Sequence, residues 1–144
     1  MTEQQASAEE VIDWAVALEN TGGDEALLLE LIGPFLEEAQ KHLSDMHFAL
    51  STQDCVLLNR AAHTLKGSLR IVGASSAMLL AEELESHFKS LADDQKLIKA
   101  GKADAAVITP SRLAAAFEEA PRMVNELEAQ VSPVMAALKA RLGP

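Results

Sequence analysis

Apolar residues recur at steps of three and four along most of this chain, which is the spacing of a helix that buries one face. The longest early series comprises Leu28, Leu31, Ile32, Phe35, Ala39, Leu43, Met46 and Leu50. A later series comprises Leu113, Phe117, Ala120, Val124, Leu127, Val131, Val134, Leu138 and Leu142. Two shorter segments with the same pattern, 55–73 and 75–91, lie between them. Four such segments predict an all-α fold, an antiparallel four-helix bundle over residues 24–142.

The N-terminal part predicts a short additional helix that covers one end of this bundle. Ser7-Ala8-Glu9-Glu10 has the capping-box pattern, so we expect the helix over residues 7–20, with residues 1–6 disordered. Its buried face would comprise Val11, Trp14, Ala15 and Leu18. Because 144 residues is the usual size of one domain, a single domain over residues 1–144 is expected.

Prolines and glycines mark the places where helices are expected to bend or stop. Gly33-Pro34 interrupts the first long series, but the periodicity continues in phase, which predicts one kinked helix rather than two. Pro121 and Pro133 are expected to kink or break the last helix. The pattern is weakest over 93–109, where a helical extension would stop at Gly101.

Composition agrees with a helical fold and excludes several classes of partner. Tyr is absent, aromatic residues make up 3%, and Ala and Leu dominate, which favours helices over strands. A formal net charge of −10 repels nucleic acid. The single cysteine excludes an internal disulfide, the first ten residues have no apolar core, and no apolar run reaches the length of a membrane span. We therefore expect a soluble cytoplasmic protein without nucleic-acid binding or membrane insertion.

One segment departs from the acidic character of the chain. Residues 55–81 contain no Asp or Glu but carry Arg60, Lys66 and Arg70 around His63. On a helix, the apolar stripe would comprise Leu58, Ala61, Ala62, Leu65, Leu69 and Val72. His63, Lys66, Gly67 and Arg70 fall on the opposite, solvent-facing side. An exposed imidazole beside two cations suits a histidine that carries a phosphoryl group, whose oxygens Lys66 and Arg70 could screen.

These residues also carry a family resemblance. The chain resembles the histidine-containing phosphotransfer (HPt) domains of bacterial multistep phosphorelays in three segments: His63-Thr64-Leu65-Lys66-Gly67-Ser68, Gly73-Ala74 and Leu84-Glu85. A fourth matching segment runs from Gly23 to Leu28 and leads to Phe35-Leu36. The resemblance implies that His63 takes a phosphoryl group from a receiver-domain aspartate or a hybrid sensor kinase and passes it to a response regulator.

The resemblance also suggests how the work is divided between this chain and its partners. The receiver domain of a response regulator would bring the phosphoaspartate and Mg²⁺, while this chain would bind no metal. Gly67 would leave room for the docked partner, and Asn59, one turn before His63, could orient the ring by a hydrogen bond. The chain would be a phosphocarrier and not a kinase, because it has no glycine-rich nucleotide loop.

Several alternatives stay open at this point. A helical adaptor could bind a receiver or kinase without accepting phosphate, and a metal-dependent enzyme using the four histidines is a remote third reading. We expect His42 to be partly buried, Cys55 to be inert and Phe48 to pack on another helix rather than to form a docking surface. A monomer is expected, although the seam of the last helix could reach a second chain. The sequence leaves open whether residues 1–144 stand alone or form part of a sensor kinase.

Overall fold

The computed structural model describes the backbone of residues 11–143 and, within that range, every side chain except that of residue 105. Each regular element in this range is helical, which confirms the all-α prediction. The elements, in chain order, are α1 (Trp14–Asn20), α2 (Glu25–Thr52), α3 (Cys55–Ile71), α4 (Ser75–Lys99), a 3₁₀ turn (Ala103–Ala105) and α5 (Pro110–Leu142). The helices within residues 11–143 include none that is long and apolar enough to cross a membrane.

The four long helices share one apolar core. α3 packs most extensively on α4, α2 contacts α3 and α5, and α5 also contacts α4, so each long helix borders two others. All six residues of the predicted stripe on α3 are buried. They meet large side chains of α4 and α5 that are fully buried as well: Leu84, Phe88, Val124, Leu127 and Leu138. Burial of this stripe turns the opposite face of α3 toward solvent.

α2 is continuous, as the uninterrupted periodicity predicted. Its first turn is capped by Asp24, whose side chain accepts a hydrogen bond of 3.1 Å from the backbone N–H of Leu27. The helix passes through Pro34 and ends before Gln53, which adopts the left-handed conformation with φ of 53°. Leu31 is the exception on the predicted buried face, because its side chain is exposed.

α5 also runs without a break, so of the two effects predicted for Pro121 and Pro133, a kink or a break, the break does not occur. Thr109 caps its first turn by accepting from the N–H of Arg112 at 3.1 Å, and Pro110 occupies the first helical position. Pro121 and Pro133 are both exposed. On this side of the helix, water can bond to the carbonyl oxygens that proline leaves unpaired, so the helix tolerates them.

The N-terminal helix differs from its prediction. Residues 7–10 and the disorder expected for 1–6 lie outside the described range, and α1 begins only at Trp14 because Asp13 is its extended N-cap. The backbone N–H of Asp13 donates to the carbonyl of Gly73 at 2.9 Å, which ties this N-cap to the turn after α3. Ile12 and Ala17 are consequently buried, whereas Ala15, expected on the buried face, is exposed.

Gly73 follows the end of α3 and also lies in close contact with the backbone of Asp13. Its φ of +72° is a left-handed conformation that favours glycine. In addition, a Cβ atom at this position would lie 2.5 Å from the carbonyl oxygen of Asp13. The close approach of the two backbones therefore requires a residue without a side chain, a constraint that the sequence analysis had not recognised.

The connection over 93–109 is organised around a buried carboxylate. α4 ends at Lys99, before Gly101, whose φ is +76°. The Oδ2 atom of Asp94, a buried residue near the end of α4, accepts from the N–H of Val107 at 3.2 Å. This hydrogen bond fixes the connection against the helix that precedes it, since a buried carboxylate needs a partner.

Candidate functional site

His63 lies in the middle of α3, on the face opposite the buried stripe. Its side chain is 65% exposed. Ala62 and Leu65, which lie near His63 in the sequence, are fully buried. Their burial fixes the rotation of α3 about its axis. An imidazole ring is therefore presented to solvent from a rigid element rather than from a loop.

Glu85 of α4 connects the polar side chains of this face. Its carboxylate contacts Nδ1 of His63 through one oxygen and the ammonium of Lys66 through the other, at 2.5 Å. α4 brings this side chain into place because Leu84 and Phe88 are completely buried, which puts Glu85 at the edge of the contact between α3 and α4. Glu85 and Lys66 are largely shielded, with 18% and 16% of their side chains exposed.

The charge of Glu85 determines which nitrogen of His63 is free. Burial acts to raise the pKa of this carboxyl, but hydrogen bonds from Lys66 and His63, together with their charges, outweigh burial and lower the pKa below its usual value of 4.5. Glu85 is thus ionised at neutral pH and can only accept hydrogen bonds. In the neutral imidazole, Nδ1 then carries the proton and Nε2 carries the lone pair. The nitrogen with the available lone pair is the one that does not contact Glu85.

Asn59 does not make the hydrogen bond to His63 that the sequence analysis expected. Its Nδ2 atom donates instead to the backbone carbonyl of Glu85, at 2.7 Å. Asn59 therefore holds α4 at this level of α3, and the contact with the ring comes from the Glu85 carboxylate. Sequence analysis missed Glu85 as a site residue, although the Leu84-Glu85 pair belonged to the resemblance and could have indicated it.

The residues around His63 differ in the space that they leave free and in whether their charges are paired. A Cβ atom added to Gly67 would meet no atom within 4 Å, so close packing within the chain does not explain this glycine. Arg70 is exposed, and its guanidinium forms no ion pair with any residue in 11–143. The ammonium of Lys66, by contrast, is already engaged by Glu85. The predicted site residues thus share one face, and three of them, His63, Lys66 and Asn59, bond to Glu85, a residue that was not predicted.

Comparison with known proteins identifies the family. A model of the Hpt domain family matches residues 30–134, which include the whole of α3 and α4. The chain belongs to the Hpt domain family. No curated protein and no solved structure gives a significant match. Hpt domains take part in phosphotransfer in histidine phosphorelays, act as phosphocarriers without kinase activity, and interact with receiver domains and kinases.

In this Hpt domain, an apolar patch adjoins Gly67. Leu27 and Leu31 of α2 and Ile71 of α3 are all exposed large hydrophobic residues. Leu31 and Ile71 line a shallow groove of about 200 Å³ together with Pro34, Phe35 and Ser68. Ile71 lies one helical turn beyond Gly67, so the groove continues the open surface beside His63.

The remaining candidate residues of the Hpt domain have other roles. Phe48 is 61% exposed, so the expectation that it packs on another helix is wrong. His42 is buried, as expected. Burial raises the pKa of the Cys55 thiol to about 11, helped by the charge of Asp54, which agrees with an inert cysteine. Within residues 11–143, the His, Cys, Asp and Glu side chains form no group of three or more that could hold a metal ion.

Proposed function

We propose that His63 is the phosphoacceptor of a phosphorelay, which receives a phosphoryl group from a receiver-domain aspartate or a hybrid sensor kinase and passes it to a response regulator. The observation that carries this proposal is the pairing of an exposed imidazole with a shielded carboxylate on Nδ1. That pairing leaves Nε2 unprotonated and directed away from Glu85.

The transfer step follows from this arrangement. The Nε2 lone pair attacks the phosphorus of an aspartyl phosphate, an N–P bond forms, and the P–O bond to the aspartate breaks so that a carboxylate leaves. The ring keeps its proton on Nδ1 and gains positive charge, which the ionised Glu85 stabilises. In the onward step, the carboxylate of a second receiver attacks the phosphorus, the N–P bond breaks, and the electron pair returns to Nε2.

Cations beside the ring would assist both steps by screening the phosphoryl oxygens. We assign this role to Lys66 and Arg70. Arg70 supports the assignment because it is exposed and unpaired within the described range. The ammonium of Lys66 would contact both Glu85 and the phosphoryl oxygens. One cation would then bridge the carboxylate and the phosphate. We propose that Mg²⁺ comes from the partner receiver, where it would neutralise charge on the transferring group.

The partner would dock over Gly67 and the apolar patch of Leu27, Leu31 and Ile71. Exposed apolar side chains next to a reactive group favour an interface here, because the cores of protein interfaces are rich in apolar side chains. The absence of a side chain at Gly67 lets the partner backbone approach the imidazole. Asn59 would act indirectly in this arrangement, by fixing Glu85 through its carbonyl oxygen.

We further propose that the long helices form an antiparallel four-helix bundle within one domain over 1–144, with α1 covering one end. The short connections between α2, α3 and α4 support antiparallel neighbours, as does the contact of each long helix with two others. A cytoplasmic, monomeric protein without nucleic-acid binding fits the net charge of −10 and the single buried cysteine. Sedimentation at several concentrations tests the monomer.

The deciding experiment follows labelled phosphate from a phosphorylated receiver domain to the wild type and to His63→Gln. We expect acid-labile, base-stable label on the wild type alone. Label that persists on His63→Gln would place the phosphate elsewhere. If the wild type binds a receiver but stays unlabelled with several of them, the chain is an adaptor instead.

A second pair of variants tests the role given to Glu85. Glu85→Gln replaces an acceptor-only carboxylate with an amide, so we expect slower transfer to His63 with the fold retained. Glu83→Gln removes the same charge from an exposed position on the same helix and serves as the matched control. Equal rates for the two variants would show that Glu85 does not assist the reaction.

A further inference from the structure

Glu85 contacts the nitrogen of His63 that stays free when a phosphoryl group is attached to the ring. The carboxylate meets Nδ1, whereas the lone pair that can form an N–P bond is on Nε2. A ring phosphorylated on Nε2 still has two forms, because Nδ1 either carries a proton and makes the ring cationic or has lost it and leaves the ring neutral. The group that faces Nδ1 decides between them, and in this structure that group is Glu85.

The two forms release the phosphoryl group at different rates because they have different leaving groups. When Nδ1 is protonated, cleavage of the N–P bond returns the electron pair to Nε2 and frees a neutral imidazole. When Nδ1 has lost its proton, the same cleavage frees an imidazolate anion, which is a much stronger base and therefore a poorer leaving group. Protonation of Nδ1 thus shortens the lifetime of a phosphohistidine.

The charges around the ring favour the protonated form. Glu85 is largely shielded from solvent, and its lowered pKa keeps it ionised at neutral pH. In the unphosphorylated chain, the ammonium of Lys66 neutralises part of this charge through the second carboxylate oxygen. A phosphoryl group on Nε2 brings about two negative charges at neutral pH and competes with Glu85 for that ammonium. The phosphoryl group and the less neutralised Glu85 then both stabilise a cationic ring.

Charged groups on the neighbouring helices leave this arrangement undisturbed. Lys89, one turn after Glu85 on α4, pairs with Asp93 at 3.8 Å. The side chains of α2 form their ion pairs away from the site, and these pairs are His42–Glu38, His47–Glu128 and Arg141–Glu25. Within residues 11–143, the groups that act on the pKa of Glu85 by charge or hydrogen bond are His63 and Lys66, both of α3. The carboxylate therefore responds to the state of the ring.

We propose that Glu85 keeps Nδ1 of His63 protonated after phosphorylation and thereby makes the phosphohistidine short-lived, suited to rapid onward transfer rather than to storage of the phosphoryl group. Glu85 then sets the lifetime of the phosphorylated state, an inference that rests on the proposed phosphorylation of His63. A neutral amide at residue 85 accepts a hydrogen bond from Nδ1 but gives a cationic ring no compensating charge. The phosphorylated ring of such a variant loses its proton at a lower pH and releases the phosphoryl group more slowly.

The test phosphorylates the full chain chemically with phosphoramidate, so that no partner protein is needed. Nε2 attacks the phosphorus, the P–N bond of phosphoramidate breaks, and ammonia leaves. After removal of the donor, mass spectrometry follows the loss of the phosphoryl group from about pH 6 to about pH 10, and the ³¹P chemical shift follows protonation of the ring. His63→Gln, treated in the same way, gives the contribution of the other histidines.

The pH profile distinguishes an acid–base role of Glu85 from a merely structural one. The midpoint of the profile should lie at least about one pH unit higher for the wild type than for Glu85→Gln, because an opposite charge beside the ring favours its protonated form. Between the two midpoints, the phosphohistidine of Glu85→Gln should persist up to about tenfold longer. Glu83→Gln, at an exposed position of the same helix, should match the wild type. Glu85→Asp retains a carboxylate and should restore part of the difference.

Several results would overturn the proposal. These are equal midpoints for the wild type and Glu85→Gln, an equal displacement in Glu83→Gln, a phosphoryl group on Nδ1, or failure of phosphoramidate to label His63. Transfer from a phosphorylated receiver is measured separately. If no receiver labels the chain but the midpoints differ as expected, the relay function fails and the role of Glu85 stands. If a receiver labels His63 but the midpoints coincide, the relay stands and the role of Glu85 is refuted.

Discussion

Substitution of Gly67 should separate the stability of the chain from the docking role that we propose for this position. Gly67 lies inside α3, and a Cβ atom there would meet nothing within 4 Å. Gly67→Ala should therefore gain the helix propensity that glycine lacks, about 0.8–1 kcal/mol of unfolding free energy. For a chain of this size, that gain corresponds to a rise in Tm of roughly 2–4 °C.

The same substitution should impair phosphotransfer if a partner occupies the open space. Gly67→Ala should slow transfer from a phosphorylated receiver, and Gly67→Gln should slow it at least about tenfold, equivalent to roughly 1.4 kcal/mol of lost interaction. Ala136→Gln adds similar bulk at an exposed position of α5 and is the matched control. Stability is measured by denaturant unfolding, and transfer by the labelled-phosphate assay.

Two results would refute this reasoning. If Gly67→Ala lowers the free energy of unfolding, the space above residue 67 is not open in the folded chain. If Gly67→Gln transfers phosphate as fast as the wild type and Ala136→Gln, the partner does not approach over Gly67. A gain in stability combined with a loss of transfer is the outcome that only an interface role explains.

Two further predictions concern the carboxylate at the site and the turn after α3. Because the pKa of Glu85 is lowered in the folded chain, the unfolded chain binds more protons than the folded chain as the pH falls through about 4.5 toward the folded pKa. The stability advantage of the wild type over Glu85→Gln should be present at pH 7 and disappear as the pH falls through the folded pKa; a difference that stays constant from pH 7 to pH 3 in urea unfolding would contradict this. Gly73→Ala should cost more stability than Gly101→Ala, since both incur left-handed strain of about 1–2 kcal/mol but only Gly73 also approaches Asp13. Equal losses for the two variants in thermal unfolding would show that the close approach is unimportant.

The parts of the fold that depend on local pattern could be predicted from the sequence. The buried stripe of α3 and the exposed position of His63 follow from helical periodicity alone, because both are properties of a single helix. The continuity of α2 through Pro34 could be predicted for the same reason. α5 was harder, since two prolines argue for a break unless both are known to face solvent.

The parts of the fold and of the site that depend on contacts between distant segments could not be predicted from the sequence. Glu85 reaches His63 only because α4 packs on α3 in one register, which a separation of 22 residues in the chain does not reveal. Nor could periodicity show that Asn59 bonds to the carbonyl of Glu85. The start of α1 combines a local cap, in which the Asp13 side chain accepts from the N–H of Val16, with a long-range hydrogen bond from the Asp13 N–H to Gly73 that the sequence does not reveal.

Two glycines near the end of α3 show how structure separates folding constraints from functional ones. In the sequence, Gly67 lies on the solvent-facing side of the predicted helix and Gly73 at its end. In the structure, the backbone of Asp13 occupies the space where a side chain of residue 73 would lie, whereas the corresponding space at residue 67 is empty. Gly73 is needed so that the backbone of Asp13 can pack against the turn after α3. Because nothing in the described chain fills the space beside Gly67 while an imidazole faces solvent one turn away, we propose that the space at Gly67 serves a partner.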